Sequence, residues 1–121
     1  MRTLIIAAAL VTTGTAFAAD SSSFQLRDAN DLVRACSVPE NDALYANATG
    51  FCHGVLTGAY RVYESMVKPE SRFICSPSPT PTRAKVMSGF VTWAKANPQF
   101  MKDAAVDTLF RYLAETYPCK K

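Results

Sequence analysis

Apolar residues recur every three or four positions along most of the chain, which is the spacing of an amphipathic helix. Asp28 is predicted to cap a first helix, which ends at Ser37-Val38-Pro39. A long second helix is predicted from about Asp42 to Val67, and Pro69 stops it. No stretch alternates between apolar and polar residues in the manner of a strand, so a β-sheet is not expected.

Two further helices are expected after a proline-rich stretch, KPESRFICSPSPTPT, which has no periodicity. Thr80 followed by Pro81 predicts the start of the third helix, because threonine is a good cap and proline suits the first turn. Asn97-Pro98 interrupts the pattern and predicts the start of the fourth helix. The sequence therefore predicts an all-α fold, a small bundle of four or five helices.

The N-terminal stretch MRTLIIAAALVTTGTAFAAD has the composition of a secretory leader. One positive charge at Arg2 precedes an apolar run, and Ala16-Phe17-Ala18 fits the small-x-small rule for cleavage. The run is shorter than the roughly 20 apolar residues of a transmembrane helix. We expect a cleaved signal peptide over residues 1–18, a flexible segment over 19–27, and one helical domain over 28–121.

Charge argues against nucleic acid and membrane surfaces as partners. Removing the leader takes one of the 13 basic residues and none of the 10 acidic ones, so 12 basic residues face 10 acidic ones. The terminal pair Lys120-Lys121 is the longest basic run. Phosphate binding requires a concentrated basic face, which this composition does not offer.

Four cysteines in a small exported domain indicate two disulfides. The absence of a CxxC pair excludes most zinc ribbons, thioredoxin-like sites and attached c-type haem. Four cysteines allow three connectivities. In a bundle whose helices alternate up and down, Cys36–Cys52 and Cys75–Cys119 each join residues at one end, so we favour that pairing.

The segment TGFCHGVLTGAY raises two questions about chemistry and packing. Cys52 and His53 are adjacent on a helix and point about 100° apart, so a cysteine–histidine catalytic pair is not expected. No catalytic residue, metal site or cofactor is predicted. Gly50, Gly54 and Gly58 share one side of the second helix and are predicted to let another helix pack closely, with direct docking of a partner as the alternative.

Four motifs in order resemble the Rap/Tai family of type VI secretion immunity proteins. A helix ends at Cys36, Phe51-Cys52-His53-Gly54 continues to Gly58, Cys75-Ser76-Pro77 follows, and Tyr117-Pro118-Cys119 closes the chain. The family pattern is a cysteine, then F-C-x-G-Y-x-x-G, C-x-P and Y/F-P-C. Val55 stands where the family usually has tyrosine.

The resemblance implies a periplasmic, helical, disulfide-bonded protein that binds a cell-wall amidase effector and blocks its active site. An interface of this kind depends on a few aromatic or arginine anchors, and loops on a rigid scaffold commonly carry them. We therefore predict partner contacts at Arg72, Phe73 and the Pro77–Pro81 loop, with a purely structural role of Phe73 and Ile74 in covering the end of the bundle as the alternative. A homodimer is a further candidate assembly, and a general envelope or stress chaperone on the same scaffold is the alternative function.

Overall fold

The computed structural model describes residues 20–121, so the predicted signal peptide over residues 1–18 lies outside the described range. Four α-helices follow one another: α1 (Ala29–Cys36), α2 (Tyr45–Met66), α3 (Arg83–Ala96) and α4 (Ala105–Thr116). Short 3-10 helices occupy Ser21–Gln25, Pro69–Ser71 and Pro98–Phe100. Residues 20–121 contain no strand, and the predicted all-α fold of four helices is confirmed.

The hydrophobic core lies where α1 meets the other three helices. Leu32 of α1, Phe90 of α3 and Leu109 of α4 are fully buried in one cluster, and the Phe90 ring lies 5.9 Å from the Tyr112 ring. The long helix α2 contributes residues spaced four and seven apart, which places them on one face. These α2 core residues are Ala48, Cys52, Leu56 and Tyr63.

Two disulfides hold the two ends of the bundle. Cys36 at the end of α1 is bonded to Cys52 on α2, with Cα atoms 5.2 Å apart. Cys75 is bonded to Cys119, with Cα atoms 4.8 Å apart, and this bridge closes a much longer stretch of chain. This is the connectivity that an alternating bundle predicts, and it leaves no free thiol in the described residues.

The third helix begins later than Thr80-Pro81 predicts. Thr82 is the N-cap of α3, and its side-chain oxygen accepts the Lys85 N–H at 3.1 Å. The backbone of Thr82 is extended, as is usual for an N-cap. A cap at Thr82 places Pro81 before the helix and not in its first turn.

The fourth helix also begins later than predicted. Asn97-Pro98 opens only the 3-10 helix Pro98–Phe100, and α4 starts at Ala105. The chain between them turns toward α1, where the Asp103 carbonyl accepts the Ala29 N–H at 2.9 Å. The first N–H groups of a helix have no acceptor within that helix, and Asp103 provides one for the first residue of α1. The chain makes this contact with α1 instead of beginning α4 earlier.

The segment before α1, described from Asp20 onward, packs against α1 and α2. Ser21–Gln25 forms a 3-10 helix in which Ser23 is buried. The Phe24 ring lies 5.0 Å from the Phe51 ring of α2. Arg27 donates to the buried carboxylate of Asp31 at 2.9 Å, so this segment is tied to α1 by an ion pair.

The three glycines of α2 do not pack against another helix, which corrects the expected role of Gly50, Gly54 and Gly58. A Cβ placed on any of them would have no neighbouring atom within 4 Å. The buried face of α2 carries Cys52 and Leu56, and the glycines lie outside it. The close approach occurs instead at Gly89 of α3, where a Cβ would overlap the Tyr112 hydroxyl.

Alanine substitutions separate these two kinds of glycine. We expect Gly54→Ala to raise the free energy of unfolding by about 1 kcal/mol, because alanine favours a helix and the added methyl meets open space. Gly89→Ala is expected to lower it by about 2 kcal/mol, because the Tyr112 ring is buried between Phe90 and Trp93 and cannot move freely. Urea unfolding of both variants measures the difference, and equal signs for the two changes would contradict it.

Candidate partner-binding surface

The segment from Arg72 to Cys75 is fixed by hydrogen bonds at both its edges. The Tyr63 hydroxyl accepts the N–H groups of Phe73 and Ile74 at 2.7 and 3.0 Å. On the other edge, Cys75 N–H donates to the Tyr117 carbonyl at 2.9 Å, and Cys119 N–H donates to the Phe73 carbonyl at 3.2 Å. Together with the Cys75–Cys119 bond, these contacts make the segment a rigid platform on the bundle surface.

Arg72 caps the C-terminus of α2. Its Nη2 donates to the Glu64 carbonyl at 2.7 Å, and its Nε donates to the Val67 carbonyl at 3.1 Å. The last carbonyl groups of a helix lack partners within the helix, and a cation there also complements the helix dipole. Arg72 therefore has a structural role that the sequence did not reveal.

Phe73 belongs to an exposed apolar surface around Tyr63. Its side chain is 54% exposed, and its ring meets the Tyr63 ring edge-on at 5.2 Å. Val62 and Met66 lie beside Tyr63 on α2 and are 56% and 78% exposed. Val106 lies one turn before Phe110, whose ring is 5.5 Å from that of Tyr63. We use the name Tyr63 patch for these four exposed apolar residues, each of which contacts Tyr63 or lies within one turn of Tyr63 or Phe110 on its helix: Val62, Met66, Phe73 and Val106.

Val62 and Met66 follow the apolar spacing of α2, yet both are exposed, which makes them further candidates for contact with a partner. Tyr63 and Leu56 occupy the core instead. The sequence does contain a signal for this exposure. Val62 and Met66 extend the four-residue spacing of Gly50, Gly54 and Gly58, so they share the face of α2 on which the glycines lie. Exposed apolar residues that gather in one place commonly mark an interaction surface.

A cleft of about 600 Å³ lies beside the platform, between α2, the Cys75–Thr82 loop, the start of α3 and the end of α4. Its floor is apolar and includes Leu56, Ile74 and Leu113, all of them buried. The Pro77–Pro81 loop forms one wall, and most of that loop is exposed. We call this cavity the α2–α3 cleft.

Polar and charged side chains line the rim of the α2–α3 cleft. Arg61 donates to the Glu64 carboxylate at 2.7 Å. Burial, together with the neighbouring Glu64 carboxylate, raises the pKa of Tyr60. His53 also lines the cleft, and its Nε2 is buried without a hydrogen-bond partner. Arg83 opens α3 at the mouth.

The described residues offer no constellation typical of an enzyme centre. Cys52 is bonded to Cys36, so its sulfur is not available as a nucleophile beside His53. Across residues 20–121, no group of three or more histidine, cysteine or acidic side chains is arranged to hold a metal ion. Within the same residues, no helix has the length and apolar character needed to span a membrane.

A family model described as Rap1a immunity proteins matches residues 28–119, which is more than half of the chain. The chain belongs to the Rap1a immunity family. The resemblance to Rap/Tai immunity proteins, inferred from the ordered cysteine and glycine motifs, is thereby confirmed. No curated protein and no solved structure matches the chain significantly.

The matched span contains both surfaces described above. All four bonded cysteines lie within it, as do the Tyr63 patch and the α2–α3 cleft. Of the residues predicted to contact a partner, Phe73 is exposed on the patch, and Arg72 is engaged with backbone carbonyls. The Pro77–Pro81 loop borders the cleft.

Proposed function

We propose that this Rap1a family member is a periplasmic immunity protein that binds a peptidoglycan amidase delivered by type VI secretion and blocks its active site. The family match over residues 28–119 is the observation that carries the proposal. The two disulfides support an oxidising compartment, in which such an amidase would meet the cell wall. The leader expected over residues 1–18 supports export by the same reasoning.

The Tyr63 patch is the proposed anchor of the inhibitory interface. Stable interfaces bury about 1,600 Å² in total, and a few aromatic anchors near their centre carry most of the energy. Phe73 combines an exposed ring with a backbone held on both sides. A rigid aromatic group loses little conformational entropy on binding, so it suits slow release of a toxin.

Capture from the periplasm tests the proposal. The mature protein, tagged at its C-terminus and expressed in its own host, is expected to co-purify with one hydrolase in stoichiometric amount. The captured hydrolase should cleave peptidoglycan amide bonds once it is separated and should lose that activity when the protein is added back. Broad binding to many unfolded proteins would instead support the envelope-chaperone alternative and contradict immunity.

Truncating Phe73 tests the proposed anchor. We expect Phe73→Ala to weaken binding of the captured hydrolase by about thirtyfold, or ~2 kcal/mol, because the exposed ring is lost from the interface. Surface plasmon resonance on the purified pair measures this change, and most of it should appear in the dissociation rate. Gln99→Ala, at an exposed residue of the Pro98–Phe100 helix outside the patch, is the control and should leave the affinity unchanged.

Arg72→Ala provides the contrasting variant. It removes two hydrogen bonds to the end of α2, so we expect a loss of stability with little change in the affinity of the folded protein. If Arg72→Ala greatly weakened binding and Phe73→Ala bound with unchanged affinity, the assignment of Phe73 as the anchor would be wrong.

Self-association belongs to the same proposal, because the exposed side chains of the Tyr63 patch could also serve a second copy. Sedimentation of the mature protein at several concentrations decides this point. A species at twice the monomer mass would support a homodimer, and a monomer at all concentrations would remove it from the proposal.

A further inference from the structure

We propose that the α2–α3 cleft receives a carboxylate side chain of the effector, flanked by apolar residues. The effector as the source of that side chain rests on the proposed function, whereas the preference for a carboxylate comes from the cleft itself. Its volume of about 600 Å³ lies within the range of sites that enclose a side chain and its neighbours.

The apolar floor explains why an occupant would enter at all. Leu56, Ile74 and Leu113 are nearly inaccessible in the folded chain, and Val86 of α3 lines the same cavity. Because those three residues are already buried, the apolar surface that an aliphatic group would remove from water here is its own and that of the partly buried Val86, which favours association. The floor alone sets no preference for charge.

The rim sets that preference, because its acidic group is already engaged. Glu64 is the one carboxylate that lines the cleft, and it accepts from Arg61 and lies beside Tyr60. Arg83, at the mouth, has no carboxylate within ion-pair distance among the described residues. The first turn of α3 also contains no acidic residue. An incoming carboxylate would therefore find an unopposed guanidinium.

His53 provides a reporter of the cleft. Its side chain lines the cavity, while its Nε2 is buried and out of reach of an occupant. His53 is also the chain's single histidine, which makes its ring signals an unambiguous reporter of the cleft.

Two tripeptides test the preference without the effector. Ac-Leu-Glu-Leu-NH₂ and Ac-Leu-Gln-Leu-NH₂ are titrated into the isotope-labelled mature protein at fixed pH, and the His53 ring is followed by NMR. We expect saturable shifts for the glutamate peptide, with an affinity at least about tenfold above that of the glutamine peptide. Equal binding of the two peptides, or no shift with either, overturns the proposal.

Substitution of Arg83 locates the charge that recognises the peptide. Arg83→Ala is expected to weaken the glutamate peptide about tenfold and to leave the glutamine peptide unchanged. Lys95→Ala, at the opposite end of the same helix, should change neither. An Arg83→Ala protein that is folded and keeps full preference for glutamate also overturns the proposal.

The captured hydrolase tests the source of the carboxylate separately. Arg83→Glu should weaken its binding if the effector fills the cleft, and unchanged binding refutes the effector as the source. Failure of the immunity proposal is recognised by the absence of any inhibited hydrolase, a result that does not depend on the peptides.

Discussion

Replacing Cys75 and Cys119 with serine is expected to lower the free energy of unfolding by about 4 kcal/mol. The bond joins residues 44 apart in the chain, and closing a loop of that length removes much of the entropy of the unfolded state. A small domain has only about 5–15 kcal/mol of stability in total, so a large share of it would be lost. Urea unfolding of the double variant at neutral pH measures the change.

The other disulfide supplies the comparison. Cys36 and Cys52 are 16 residues apart, and their replacement by serine should cost about 3 kcal/mol. The Cys75 variant should also release the platform that holds Phe73, because the pairing of residues 73–75 with 117–119 would lose its covalent tie. A double variant at Cys75 and Cys119 as stable as the native protein would contradict this account.

Asp31→Asn is expected to lower the free energy of unfolding by about 3 kcal/mol at neutral pH. The Asp31 side chain is 1% exposed and accepts from the Arg27 side chain at 2.9 Å and from Arg34 at 2.8 Å. It also accepts the Arg27 backbone N–H at 3.0 Å. An amide in its place would keep the shape but lose the charge that both guanidinium groups require.

The Asp31 carboxylate also makes the stability of the folded protein depend on pH. Hydrogen bonds from Arg27, and to a smaller extent from Arg34, hold the pKa of Asp31 well below its usual range. A lowered folded pKa contributes stability above the unfolded pKa of about 3.9, and that stability is lost as the pH falls toward the folded pKa. The difference between native protein and Asp31→Asn should therefore be full at pH 7 and shrink below about pH 4.

Thermal or urea unfolding from pH 7 down to pH 2.5 measures that difference. Glu40→Gln removes an exposed carboxylate between α1 and α2 and should leave stability nearly unchanged at every pH. A gap between native protein and Asp31→Asn that stays constant as the pH falls would refute the role given to the carboxylate.

The number of helices could be predicted from the sequence because apolar spacing is a local property. The starts of α3 and α4 could not be predicted. Thr80 and Thr82 are the same residue type and only the folded chain shows that Thr82 caps α3, while the carbonyl groups of Met101 and Asp103 accept the first N–H groups of α1. The 3-10 helix over Ser21–Gln25 could not be predicted for a similar reason. It depends on Asp31 and Phe51, which approach this segment only in the folded chain.

The candidate site was predictable only in part. Phe73 could be proposed because an aromatic residue in an irregular segment next to a cysteine is a reasonable anchor. Its exposure, however, follows from the Tyr63 hydroxyl, which fixes the backbone of Phe73 and directs Ile74 inward. The glycine series of α2 was misassigned because spacing defines a shared face and does not say whether that face meets a helix or solvent.

Inhibition of the captured hydrolase by the mature protein tests the central claim most directly. Hydrolysis of peptidoglycan amide bonds would be followed while the purified protein is added in increasing amounts. Immunity predicts that activity falls in proportion to the added protein and vanishes near an equimolar ratio. A captured hydrolase that keeps its full activity at a large excess of the protein would contradict the claim.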